Sequence, residues 1–207
     1  NRRYRMIEGL FPCPIGEYKL DRTLTQNEMS YLKNITMETN TGNTVSATGD
    51  ILHNDKMIEL TKFIGDSIDE YCKETYDFDT NKVQLYVTQS WTNLTKPGEY
   101  HHVHSHQNSV ISGVFYFEGN KDDVIEFWNP RNWLGSQHWA VESKSNNHFN
   151  SHTWWYPAEA GTLLLFPSLL EHSVPEVEGK NNRYSLSFNT FFKGTLGDGK
   201  ERTELIL

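Results

Sequence analysis

Val83-Gln84-Leu85-Tyr86-Val87-Thr88-Gln89-Ser90-Trp91-Thr92-Asn93-Leu94 is the first of six β-branched or aromatic runs that follow Asp79. The others are Ser109 to Phe117, Val124 to Trp128, Thr153 to Tyr156, Gly161 to Phe166 and Arg183 to Phe192. Clusters of Gly, Pro, Asn and Asp separate them, and no helical period intervenes. Short strands in succession without crossover helices predict a mainly β fold, a sandwich or jelly roll, rather than an alternating α/β sheet.

Working back from that region, Met57, Leu60, Ile64, Ile68 and Tyr71 recur at helical spacing and predict one helix, capped by Asn54 or Asp55. Its acids Glu59, Asp66, Asp69 and Glu70 read as a solvated face. Thr25-Gln26-Asn27-Glu28 has a helix-start pattern, with Met29, Leu32 and Lys33 following. The prolines of Phe11 to Leu20 forbid a helix but permit an edge strand or an extended lead-in. Thr39 to Gly49, polar and without period, reads as a loop. The organisation expected is a single domain over 1–207: a helical support region at 1–82 covering one sheet, a β core at 83–193 and a tail at 194–207 that is a loose end or a final strand.

The 207 residues carry a net charge of −8, and 13% of them are aromatic. A net acidic chain without a Lys/Arg block lacks the electrostatic footprint of non-specific nucleic-acid binding. No apolar run approaches the ~20 residues of a membrane helix, and Asn1-Arg2-Arg3-Tyr4 opens no signal peptide. The first residue is not Met, as in a trimmed chain. Cys13 and Cys72 are too few for a disulfide framework and read as small buried hydrophobes in a reducing cytoplasm.

Four of the nine histidines fall within Tyr100-His101-His102-Val103-His104-Ser105-His106, directly before a predicted strand. If the stretch is extended, His102, His104 and His106 share one face and His101 points to the other. Two imidazoles at i and i+2 can both reach one divalent ion, with metal–nitrogen bonds of about 2.0–2.1 Å. Strict alternation leaves open which pair does so. A third ligand must come from a distant strand, and His172 stands where the chain re-enters the sheet after Leu165-Phe166-Pro167-Ser168. Further on, Arg183, Ser185 and Ser187 share one face of a strand whose other face is Tyr184, Leu186 and Phe188. A guanidinium inside a barrel needs a partner, and with a neighbouring hydroxyl it forms a receptor for a carboxylate.

Ser90-Trp91-Thr92-Asn93, Pro97-Gly98, His104-Ser105-His106, Ser112-Gly113-Val114-Phe115-Tyr116, Glu171-His172-Ser173-Val174 and Arg183-Tyr184-Ser185-Leu186-Ser187 occur in that order. They resemble a family of 2-oxoglutarate- and Fe(II)-dependent oxygenases common in marine bacteria and their phages, within the prolyl-hydroxylase-like superfamily. The resemblance runs from about Phe11 to Phe192 and implies a double-stranded β-helix, a cupin-like jelly roll. It implies His104, His106 and His172 as metal ligands for Fe(II). It implies Arg183 and Ser185 as the grip on the far carboxylate of 2-oxoglutarate, with Asn93 as a further contact. The activity implied is hydroxylation of an unidentified substrate, a peptide side chain being the candidate, with O2 consumed and succinate and CO2 released, in the cytoplasm of a bacterium or a phage-infected host.

One departure is that His104-Ser105-His106 stands where the wider superfamily has His-x-Asp. Either three neutral imidazoles hold the ion or a carboxylate completes the sphere, Glu99 and Glu171 being the nearest acids in sequence. Two alternative readings stay open: a three-histidine zinc hydrolase or hydratase, in which the metal lowers the pKa of bound water, and a non-catalytic jelly-roll metal-binding module. Asn129 to Asn150, rich in Trp and Phe, reads as a lid or as a flap that only closes one end of the barrel.

Overall fold

The computed structural model describes residues 7–120, 122–131 and 143–207. The strands are β1 (Gly16–Lys19), β2 (Met37–Thr39), β3 (Thr44–Ser46), β4 (Val83–Thr95), β5 (His101–His104), β6 (Ile111–Glu118), β7 (Val124–Trp128), β8 (Thr153–Pro157), β9 (Thr162–Pro167), β10 (His172–Val174), β11 (Arg183–Leu196) and β12 (Leu205–Ile206). Helices α1 (Gln26–Lys33) and α2 (Ile58–Thr75) precede β4, and a 3-10 turn at Asp55–Met57 leads into α2. The larger sheet runs β1-β9-β6-β11-β4-β3-β2, with β12 paired to the far part of β11; the smaller runs β5-β10-β7-β8. All of these strand pairs are antiparallel.

Alternation along the strands divides the interior into two layers. Ile111, Phe115, Phe117, Leu163, Leu165, Leu186 and Phe188 face the helices and pack with the α2 stripe Leu60, Ile64, Ile68 and Tyr71. The intervening residues Val114, Tyr116, Leu164 and Phe166 face the smaller sheet and meet Ile125 and Phe127. Each fully buried aliphatic side chain contributes about 1.5–3 kcal/mol, which fixes the helices on that one face. Gly113 lies opposite Phe188 in the ladder, where a Cβ would sit 2.2 Å from the ring's Cζ, so only glycine permits that approach.

The helix starts follow their sequence signals. Thr25 and Glu28 form a reciprocal capping box on α1. Asn54 caps the 3-10 turn by accepting from the Lys56 N–H at 3.0 Å, and Met57 is buried with the stripe. Two expectations are corrected. Thr39 to Gly49 is not only loop, because Met37–Thr39 and Thr44–Ser46 pair as a hairpin whose second strand extends the larger sheet beside β4. Main-chain hydrogen bonding to β4, rather than a side-chain pattern, makes those strands. Residues upstream of β4 therefore supply three strands, β1 to β3, as well as two helices. Cys72 is buried as expected, but Cys13 is exposed. Among the described residues no helix is long and apolar enough to cross a membrane. Of the stretch Asn129 to Asn150, residues 132–142 lie outside the described residues, and so does the question of a lid.

Candidate metal and carboxylate site

Between the two sheets lies a cavity walled by β4, β6 and β11 on one side and by β5, β7 and β10 on the other. Its polar groups come from both ends of the sequence-predicted set. His104 on β5 is the register partner of His172 on β10, and their ring centroids stand 4.3 Å apart. His106 lies just past the end of β5, held by its main-chain N–H donating to Ser168 O at 2.9 Å. The ligand atoms of His104, His106 and His172 all lie within 4.8 Å of one another.

The hydrogen bonds fix the tautomers of two of these rings. A carbonyl can only accept, so His172 Nδ1 donates to Leu170 O and His104 Nδ1 donates to His102 O, each at 2.9 Å. Both Nε2 atoms then carry lone pairs. His172 Nε2 faces His106 Nε2 at 3.3 Å, a juxtaposition of nitrogens that a proton or a cation between them would relieve. Burial, then the neighbouring imidazoles, pushes His172 down to about 3 and His106 down to about 4. Burial also lowers His104, against the hydrogen bond to His102 O. Neutral rings with free nitrogen lone pairs are the protonation state that a metal requires.

Strict alternation fails at one position. His172 pairs with His104 but Val174 pairs with His101, so β5 holds one residue more than β10 over the same span. This β-bulge reverses the parity. His101, expected on the opposite face, lines the cavity, while His102 is exposed and does not. Burial and the imidazoles around it bring His101 down to about 4. Neither acid weighed as a ligand is in the cavity wall: Glu171 is exposed, and Glu99 accepts from Lys96 N–H in its own turn. Among the described residues no carboxylate lines the cavity.

At the other end, Arg183 is 3% exposed. Its Nη1 donates to Val124 O at 3.3 Å and its Nη2 to the Tyr116 hydroxyl at 3.2 Å, and the guanidinium lies over the Tyr116 ring. Its Nε is buried without a partner. Among the described residues no carboxylate comes within 4.0 Å of it. Ser185 and Ser187 follow on the same strand face, opposite Asn93 and Trp91 of β4. The Asn93 amide donates to Ser187 Oγ at 2.9 Å and to Ser185 Oγ at 3.4 Å. The cavity thus places all six sequence-predicted residues in one wall system: His104, His106, His172, Arg183, Ser185 and Asn93. Sequence reasoning missed His101, and it missed Tyr116, which reads as one more apolar residue in a buried strand and whose signal would have been its phenol beside an inward arginine.

Residues 89–189 match the family model described as "Putative 2OG-Fe(II) oxygenase". No curated protein is matched by the sequence. Among solved structures, HygX from Streptomyces hygroscopicus with nickel, 2-oxoglutarate and hygromycin B bound is similar at 8% identity, covering 86% of this chain and 82% of that one, with a TM-score of 0.57. A Pseudomonas putida prolyl-4-hydroxylase is similar at 10% identity, with 86% and 92% covered and a TM-score of 0.51. A 2OG-Fe(II) oxygenase family oxidoreductase from Burkholderia pseudomallei is similar at 11%, with 78% and 74% covered and a TM-score of 0.54. These likenesses concern the fold, which is the jelly roll expected. The matched segment carries every residue of the cavity wall except Asn43, so the part of the chain that builds the cavity matches the 2-oxoglutarate- and Fe(II)-dependent oxygenases, whose cofactor is Fe(II) and whose co-substrate is 2-oxoglutarate.

Proposed function

We propose that His104, His106 and His172 hold the iron, and that Arg183 and Ser185 bind the far carboxylate of 2-oxoglutarate with Asn93 as a further contact, so that the enzyme hydroxylates a C–H bond of its substrate. The observation that carries this reading is the Arg183 guanidinium, buried without a counter-ion among the described residues, in the cavity that also holds the three neutral imidazoles. A buried cation is costly unless paired, and a dicarboxylate reaching from the metal ligands supplies the missing charge.

When bound, iron and 2-oxoglutarate would supply the oxidising chemistry with O2 as the oxidant, one oxygen atom going to succinate as CO2 is released and the other to the substrate. The chain's own residues orient and dry the site. Hydrogen bonds from His104 and His172 to main-chain carbonyls keep Nε2 available as a ligand atom. Asn93 holds the Ser185 and Ser187 hydroxyls in place. The apolar wall of Val114, Ile125, Phe166 and Val174 excludes water.

The chain is read as one domain, supported by the strands on either side of the matched core that join the same sheet: β1 to β3 before it and β12 after it. The free thiols Cys13 and Cys72 support a reducing compartment such as the cytoplasm. A peptide side chain is the first substrate class to test, the prolyl-4-hydroxylase that shares the fold being the precedent.

Anaerobic reconstitution with Fe(II) and 2-oxoglutarate is expected to give a weak visible charge-transfer band, and admitting air is expected to yield succinate. A protein that binds zinc but gives neither band nor succinate would overturn the reading.

A further inference from the structure

The β-bulge in β5 gives His101 a place that strand alternation denies it. The chain leaves β4 at Thr95, the register partner of Arg183, and re-enters the opposite sheet at His101. His101 therefore stands at the guanidinium end of the cavity, while His104 and His106 follow towards the other end. Its ring lies parallel to that of His104, with centroids 4.3 Å apart and planes 14° apart. Ligand atoms of His101, His102 and His104 also lie within 4.8 Å of one another, but His102 is exposed and outside the cavity wall, whereas His104, His106 and His172 all line it.

The hydrogen-bonding capacity of His101 is unspent. The Nδ1 atoms of His104 and His172 are committed to carbonyls, whereas among the described residues neither ring nitrogen of His101 has a hydrogen-bond partner. A neutral imidazole carries one N–H donor.

Resting on the reading of the cavity given above, we propose that His101 is a further co-substrate-binding residue, its ring N–H donating to the far carboxylate of 2-oxoglutarate beside Arg183.

The test is a binding titration of 2-oxoglutarate to the full chain loaded with Ni(II), alongside a Ni(II) titration, for wild type, His101→Phe and His101→Gln. His101→Phe keeps an aromatic ring on His104 but has no donor; His101→Gln restores an N–H. The expected result is a Kd for 2-oxoglutarate raised about ten- to a hundredfold in His101→Phe, as for loss of a hydrogen bond to a charged group, with Ni(II) affinity unchanged and most of the co-substrate affinity recovered in His101→Gln. Unchanged 2-oxoglutarate affinity in His101→Phe, or parallel loss of Ni(II), overturns the proposal. Failure of His101→Gln to recover would mean that the ring's packing matters and not its donor, and overturns it equally. If the wild type binds Ni(II) but not 2-oxoglutarate, the carboxylate reading of the cavity itself fails and takes this proposal with it.

Discussion

His104 and His172 are related by more than proximity: each donates its Nδ1–H to the carbonyl two residues before it, His102 O and Leu170 O, both at 2.9 Å. Register pairing of β5 with β10 then sets the two rings against each other. The main chain, not a side chain, fixes both tautomers, so the ligand-ready state is built into the strands. Replacing either ring with alanine is expected to weaken metal binding by more than the roughly hundredfold that loss of an outer hydrogen bond costs. The measure is metal content after dialysis together with circular dichroism. Full metal retention in both variants would show that the ion sits elsewhere.

Arg183→Ala is expected to raise the KM for 2-oxoglutarate while leaving metal content intact. Removing one partner of a buried, hydrogen-bonded charge pair costs about 2–5 kcal/mol, a factor of roughly thirty to several thousand. Arg183→Lys, which keeps the charge but not the fork, is expected to fall between wild type and alanine. Equal loss of metal and of co-substrate would place the carboxylate pocket elsewhere.

Much of this site is legible in the amino-acid sequence because β11 obeys simple alternation: Arg183, Ser185 and Ser187 face the cavity while Leu186 and Phe188 face the helices. The α2 stripe is legible for the same reason, every member being buried on one side. His101 is not, since one extra residue in a strand of four reverses which side chains look inward, and nothing in the sequence marks where a bulge falls. The β2–β3 hairpin escapes because its strands are three residues long and owe their order to β4. Tyr116 escapes because a phenol within an apolar run advertises packing, and its role depends on Arg183 arriving from a strand far along the chain.

Ser168 joins the histidine end of the cavity to a hydroxyl network. Its carbonyl accepts from the His106 N–H, and its hydroxyl bonds Ser109 Oγ at 2.6 Å and Ser112 Oγ at 2.8 Å. Ser112 in turn donates to Asn189 Oδ1 at 2.8 Å. Ser168→Ala would leave the buried Ser112 hydroxyl and the half-buried Ser109 hydroxyl each short of one partner, at a cost of about 1–3 kcal/mol, and would loosen the segment carrying His106. The expected outcome is a lower melting temperature together with metal affinity reduced about ten- to a hundredfold, in the range of other outer-sphere changes. Loss of stability with unchanged metal affinity would confine the network to a purely structural role.

Far from the cavity, Glu28 ties the start of α1 to Arg22. The carboxylate receives Arg22 at 2.7 and 2.8 Å and the Thr25 N–H at 2.7 Å, and its side chain is 3% exposed. The Arg22 hydrogen bonds foremost, together with those from Thr25, hold its pKa below the ordinary 4.5 against the opposing effect of burial. A carboxyl whose pKa is depressed in the folded state contributes stability that is fully present above its unfolded value and is lost as pH falls through the folded one. Glu28→Gln can still accept in the capping box but has no charge for Arg22. Its melting temperature is therefore expected to lie below that of wild type at pH 7, with the gap shrinking as the pH is taken below 4.5 and closing once wild-type Glu28 is itself protonated. A gap that stays constant from pH 7 to the acid limit would mean that shape alone, and not the ion pair, anchors this helix.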